Sequence, residues 1–218
     1  MTDTAKVRRY AVKSIFGPTI QGEGSLTGAV TAFVRLAGCN MWSGREEDRA
    51  SSACPFCDTD FVGGDRLTAR DIVAALRCLL DAGGLVTVSG GEPLLQLDLD
   101  LARSLVDAGY RVAIETNGTR AIDPELRALL HVTCSPKVPR EEMVLADCDD
   151  LKVLVPHPDE RITPAAFSDF PARSRWVQPV NLRDVLNHAN VRHAVDVAIA
   201  MPGDWRVSIQ LHKLLGVA

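Results

Sequence analysis

With 218 residues, 46% of them hydrophobic, a net charge of -4 and basic residues scattered along its length, the chain can bury a substantial core but would repel a polyanion. Its two tyrosines offer little for base stacking, so nucleic acid is not an expected partner. No stretch approaches the roughly 18 apolar residues of a membrane span, and the polar segment Met1 to Tyr10 leads into no apolar run, so a soluble, cytoplasmic protein with one domain over residues 1–218 is expected.

From residue 31 onward, short β-branched runs alternate with amphipathic runs, the pattern of a parallel sheet wrapped by helices. The predicted strands are Thr31 to Leu36, Leu85 to Val88, Arg111 to Glu115, His131 to Ser135, Leu151 to Val155, Trp176 to Gln178 and Trp205 to Leu211. Thr68 can cap a helix with Ile72, Leu76, Leu79 and Leu80 on one face, ended at Gly83-Gly84. Asp98 can cap a second, with Leu101, Leu105 and Val106 inward, ended at Gly109. Pro124 suits the first turn of a third, Glu125 to Leu130, and a fourth is expected over His188 to Ala200, before Pro202-Gly203. The segment from Lys137 to Asp150 reads as loop.

Almost every predicted strand is followed by side chains able to bind something: Ser89 to Glu92, Glu115 to Asn117, Ser135 to Lys137, Gln178-Pro179, and Gln210 with His212. Any one of these could be an ordinary turn, but in a barrel of parallel strands such ends share one mouth, where barrel enzymes build their sites. Four or five helices are too few for an eight-fold barrel. The expected fold is therefore α/β, an incomplete TIM-like barrel of about six parallel strands with outer helices and an added edge strand.

Six cysteines in a chain without an export signal read as thiols or metal ligands, not disulfides. Three of them, Cys39, Cys54 and Cys57, stand in Gly-Cys-Asn and Ala-Cys-Pro-Phe-Cys-Asp frames, and the chain then reads Ser89-Gly90-Gly91-Glu92-Pro93. Three thiolates can hold three irons of a [4Fe-4S] cube and leave the fourth open to a small molecule, which the Gly-Gly turn would let the backbone approach. The alternative is zinc, for which Cys54-x2-Cys57 is a common half-site. Zinc needs a fourth ligand, and Cys78 in a helical stretch, Cys134 on a strand and Cys148 in an acidic loop are poor candidates.

These features resemble the radical S-adenosylmethionine enzymes. More narrowly, Gln21 to Gly24, Arg35 to Arg49 and Cys57 to Phe61 resemble the 7-carboxy-7-deazaguanine synthase family, in the branch with a long insertion between the first two cysteines, here fourteen residues. The resemblance implies a reaction: 6-carboxy-5,6,7,8-tetrahydropterin contracts and loses ammonia to give 7-carboxy-7-deazaguanine, a step toward queuosine and related 7-deazapurines. It implies a [4Fe-4S] cluster on Cys39, Cys54 and Cys57. S-adenosylmethionine would lie against Phe56, Cys57, Asp58, Gly91, Ser135, Pro136, Lys137, Gln178, Pro179, Val180 and Asn181. The pterin would meet Ile20, Gln21, Gly22, Arg35, Ser89, Glu115 and the final residue Ala218, with Glu115 the catalytic candidate. Arg35 could grip a carboxylate with its planar fork, and Glu115 could accept from a guanidine-like edge. Mg2+ on Thr59, an electron donor such as a flavodoxin or ferredoxin, and a homodimer complete the implied set. The rivals are an activating enzyme for a glycyl-radical protein and a zinc-stabilised binding module without catalysis.

Overall fold

The structure, a computed structural model, describes residues 7–181 and 185–217. Its strands are β1 (Tyr10–Ile20), β2 (Val30–Leu36), β3 (Asp65–Leu67), β4 (Leu85–Gly90), β5 (Arg111–Thr116), β6 (Leu130–Cys134), β7 (Cys148–Val155), β8 (Ala172–Pro179) and β9 (Trp205–Val207). Its helices are α1 (Ala69–Arg77), α2 (Leu99–Asp107), α3 (Pro124–Arg127), α4 (His188–Ala200) and α5 (Leu211–Leu215). Among the described residues the strands form one nine-stranded sheet, ordered β3-β1-β2-β4-β5-β6-β7-β8-β9. From β2 to β9 all pairings are parallel, while β1 pairs antiparallel with β2 and β3. No pairing joins β3 to β9, so the barrel stays open, as expected.

The strands differ from expectation in three places: two are added and one ends early. β1 escapes a reading by alternation because Gly17-Pro18 looks like a strand break; the strand continues through it by shifting register between Phe16 and Thr19. β3 is only three residues long and carries no periodic signal. The expected strand Trp205 to Leu211 stops at Val207, and Leu211 begins α5 instead. Ser208 turns the chain there: its N–H reaches the Val177 carbonyl at 2.9 Å, while its hydroxyl donates to Gln178 and accepts from the Gly24 N–H. Two smaller corrections concern α3, which ends at Arg127 so that Leu130 can open β6, and Cys148, which begins β7 rather than lying in a loop.

The two faces of the parallel sheet differ in kind. Val34 and Leu36 of β2, Val86 and Val88 of β4, Val112 and Ile114 of β5, Val132 of β6, and Leu151 and Val153 of β7 are buried in the apolar core with Ile72 and Leu76 of α1 and Leu101 and Leu105 of α2. Alternate positions on the same strands are polar: Thr31, Thr87, Ser89, Thr133, Asp150, Lys152 and Gln178 are buried too. Several of them are held by hydrogen bonds to hydroxyls, carboxylates or backbone. Thr31 Oγ1 lies 3.0 Å from both Thr87 Oγ1 and the Leu85 carbonyl. The Asp150 carboxylate accepts from Ser25, Ser174 and Trp176 and lies 3.1 Å from His131 Nε2. A barrel centre filled with branched apolar side chains would be solid; this one is lined with groups that need partners.

Leu101 is fully buried between α2 and the sheet, so Leu101→Ala should lower unfolding free energy by about 2–5 kcal/mol in urea titration. A loss under about 1 kcal/mol would mean that the helix layer is not packed as described.

Candidate active site

The site is organised by the turn that follows β4. Gly90 has φ +131°, and a Cβ there would stand 2.0 Å from the Leu36 carbonyl oxygen. A Cβ on Gly91 would stand 2.1 Å from the Gly38 carbonyl oxygen and 2.7 Å from Cys39 Cβ. The glycines are thus required by the close approach of the cysteine loop's own backbone, a reason that sequence reading assigned to a bound molecule. Glu92 finishes the turn: its N–H donates to the Gly38 carbonyl at 3.0 Å. Its carboxylate is fully buried and accepts from the Leu94 N–H at 3.0 Å, Thr116 Oγ1 at 2.9 Å and the Asn117 N–H at 2.7 Å. Burial pushes its pKa up, and those three donors oppose the shift. Asn117 in turn donates to Asn40 Oδ1 at 2.9 Å, tying the residue after Cys39 to the end of β5.

One cavity at this mouth is lined by Cys39, Cys54 and Cys57 together with Phe56, Gly91, Ser135, Lys137 and the segment Gln178 to Asn181. Burial pushes the Cys54 thiol up to about 11 and raises that of Cys57, and the neighbouring cysteines add to both shifts while Lys137 opposes them. Desolvated thiols become thiolates only when a cation compensates them. All three cysteines open on this one cavity, and a set of soft thiolate donors fits an iron–sulfur group. Lys137 donates to the Ser135 carbonyl at 3.0 Å, with its ammonium 6.0 Å from the Phe56 ring centroid. Burial lowers its pKa and the thiols counteract this.

A second cavity opens alongside, lined by Ile20, Gln21, Phe33, Arg35, His212, Lys213 and Val217, and it shares Glu23, Asp58, Thr59, Ser89, Glu115 and Gln210 with the first. Arg35 forms no ion pair among the described residues, lies over the Phe16 ring at 5.2 Å and has a buried Nε without a partner. Glu115 Oε1 accepts from Gln21 Nε2 at 3.2 Å. Burial pushes the Glu115 carboxyl up, Lys152 draws it down and Glu23 pushes it up again. Glu23 behaves oppositely: burial would raise it, but the Lys152 ammonium and hydrogen bonds from Gln210 and Gln178 hold it down to about 2. Asp58 is bridged by Lys213 of α5 at 2.5 Å, and Asp60 by Lys13 of β1 at 2.8 Å.

Of the residues that the resemblance assigned to cluster, cofactor, substrate or metal, the structure brings all but three to these two adjoining cavities. Gly22 and Pro136 are buried beside them without lining either; a Cβ on Gly22 would stand 2.1 Å from His212 Nδ1. Ala218 lies outside the described residues. Glu23, Lys152 and Lys213 were missed. Lys152 sits within an apolar run, and a charged residue in a central strand was the signal available. Nothing in the spacing of Glu23, Lys152 and Lys213 links them, since they are joined only by the fold.

Residues 49–145 match the Radical SAM superfamily model, a span that includes Cys54 and Cys57 but begins after Cys39. The chain is 42% identical to the 7-carboxy-7-deazaguanine synthase of Burkholderia multivorans, covering 95% of this chain and 99% of that protein. It is 39% identical to the 7-carboxy-7-deazaguanine synthase of Bordetella pertussis over the same shares. Among solved structures it is similar to the crystal structure of QueE from Escherichia coli, with TM-score 0.67, 26% identity, and coverage of 94% of this chain and 95% of that one.

Because the Glu92 carboxylate satisfies three donors from two elements, Glu92→Ala should reduce unfolding free energy by at least about 2 kcal/mol, measured in urea. A change within about 0.5 kcal/mol, as for a bland surface site, would contradict this role.

Proposed function

Because the chain belongs to the 7-carboxy-7-deazaguanine synthase family of radical S-adenosylmethionine enzymes, we infer that it contracts 6-carboxy-5,6,7,8-tetrahydropterin to 7-carboxy-7-deazaguanine with loss of ammonia, a carbon–nitrogen lyase step toward queuosine. The observation that carries this reading is the adjoining of a three-thiol cavity and an Arg35–Glu115–Gln21 cavity across shared walls. Neither rival accounts for it, since a glycyl-radical activator needs a polypeptide surface and a zinc module needs no second cavity.

When bound, a [4Fe-4S] cluster and S-adenosylmethionine would supply one-electron radical chemistry able to abstract hydrogen. Cys39, Cys54 and Cys57 would hold the cluster. On the cofactor side, Phe56 offers an apolar face, and Ser135, Lys137, Gln178 and Asn181 offer polar contacts to the amino acid and sugar, while Gly91 lines the same cavity with its backbone. On the substrate side, Arg35 is a cation short of a counter-ion and is suited to the pterin carboxylate. Glu115, oriented by Gln21, is suited to accept from the N–H groups of the pyrimidine ring. Thr59 stands where the two cavities meet. Its carboxylate neighbours Asp58 and Asp60 are already paired with lysines, which favours Thr59 as the residue that would hold Mg2+, an ion that would supply positive charge beside the substrate.

The reading extends to an electron donor such as a flavodoxin or ferredoxin, to a homodimer in which a partner could cover a sheet edge, and to the cytoplasm as the place of work. Among the described residues no helix is long and apolar enough to cross a membrane. We treat the chain as one domain, since one sheet and one core cluster run through it.

Mass spectrometry of the reaction with dithionite, S-adenosylmethionine and Mg2+ tests the function: 7-carboxy-7-deazaguanine should accumulate at the expense of the pterin, and recovery of intact pterin would refute it. Two predictions concern residues. The raised Glu115 pKa should appear as an acid limb in kcat/KM at a pH above the ordinary carboxylate value of about 4.3, because the accepting form is lost as pH falls through it. Glu115→Gln should abolish that limb and lower kcat/KM at neutral pH roughly 10- to 100-fold, equivalent to about 1.5–3 kcal/mol for a hydrogen bond to a charged group. A limb that persists in the variant would belong to another group. Thr59→Ala should abolish stimulation by Mg2+ while leaving iron content intact; undiminished stimulation would remove Thr59 from the metal site.

A further inference from the structure

The fourteen residues between Cys39 and Cys54 fold back on the loop that carries the other two thiols. Arg49 is the point of contact. One guanidinium nitrogen, Nη1, donates to the carbonyls of Pro55 at 3.0 Å and Cys57 at 2.8 Å, so a single donor group spans the Cys54-Pro55-Phe56-Cys57 turn. The guanidinium carbon also lies 4.3 Å from the Trp42 ring centroid, and Nε donates to Glu46 at 2.7 Å. Trp42 is itself fixed, edge-on to Phe61 at 5.6 Å and with its indole N–H on the Arg45 carbonyl at 3.1 Å. Arg49 is thus clamped on its stacking face and through its Nε, while its free end reaches two carbonyls of the ligand loop. Its side chain is 22% exposed and Glu46 is 70% exposed, so the outer ion pair is screened by water while the inner contacts are less so.

We propose that Arg49 is a positioning residue for the cluster: it fixes the Cys54–Cys57 turn in ligating shape and sets a positive charge beside the Cys57 ligand. This inference rests on the reading of Cys39, Cys54 and Cys57 as cluster ligands. Two consequences follow from the geometry. Without the guanidinium, two carbonyls lose their donor and the turn loses its brace, so iron leaves more readily. Without the positive charge, the reduced cluster, which carries one more negative charge, is less favoured, so the midpoint potential moves negative. A lysine retains the charge but, being a compact point charge on a flexible stem, lacks the planar group that stacks on Trp42 while reaching the turn.

The test uses the full chain, reconstituted anaerobically, as parent, Arg49→Gln and Arg49→Lys. Readouts are iron and sulfide content, the rate of iron loss to a chelator, and the midpoint potential followed by electron paramagnetic resonance. Arg49→Gln should lose iron about 10-fold faster than the parent, the low end for loss of a ligand-supporting contact, and the fraction that stays loaded should titrate at a more negative potential. Arg49→Lys should also lose iron faster yet titrate near the parent. Far-UV circular dichroism separates this from general misfolding; if Arg49→Gln is unfolded, the lysine variant decides by its rate of iron loss. Parent-like rates, or a parent-like potential in a folded Arg49→Gln protein, overturn the proposal. A parent that takes up no iron and sulfide overturns instead the cluster reading beneath it.

Discussion

The absence of side chains at Gly90 and Gly91 lets two strand ends meet, and the geometry of the site follows from that contact. The turn after β4 lies directly on the backbone from Leu36 to Cys39, at separations no Cβ could share. Glu92 then binds both neighbours, through its N–H to Gly38 and through its carboxylate to Thr116 and Asn117 at the end of β5. The first cysteine is therefore held by backbone contact between the ends of β2 and β4, and by the Glu92 and Asn117 side chains to the end of β5. The other two cysteines are held differently, by an inserted segment whose Arg49 bonds to their turn.

Beneath this mouth, the inner face of the sheet is lined with hydroxyls, carboxylates and an ammonium where an ordinary barrel has branched apolar side chains. Such groups cannot pack against each other without hydrogen bonds, and unsatisfied ones are costly to bury. The chain solves this in two layers. Lower down, Asp150 is satisfied by Ser25, Ser174, Trp176 and His131. Higher up, Glu23 pairs with Lys152, Glu115 takes a hydrogen bond from Gln21, and Arg35, which lines a cavity, has a buried Nε without a partner. The lower layer is complete in itself; the upper layer has hydrogen-bonding capacity left for a ligand.

Much of this was legible in the sequence because the parallel strands announce themselves by β-branched runs and the polar residues stand at their C-terminal ends. Cys39, Cys54, Cys57, Gly91, Arg35 and Glu115 stand out in the sequence alone, and in the fold they line two adjoining cavities. What escaped depends on contacts distant in sequence. β1 was hidden by Gly17-Pro18, which a register shift absorbs. α5 was hidden because Trp205 to Leu211 alternates like a strand, whereas Ser208 is drawn to Gln178 and Gly24 and ends it. Lys213 gains meaning only when α5 brings it to Asp58, and Lys152 only when β7 brings it to Glu23. The Gly-Gly turn was read correctly as a place of close approach, but the approaching group is the protein's own backbone.

The most direct measurement is electron paramagnetic resonance of the reduced, anaerobically reconstituted chain, recorded with and without S-adenosylmethionine alongside iron and sulfide analysis. The account predicts about four irons and four sulfides per chain, with a cluster signal that shifts when S-adenosylmethionine is added because one iron lacks a protein ligand. A colourless protein, a lone zinc on the thiols, or a cluster signal indifferent to S-adenosylmethionine would contradict it.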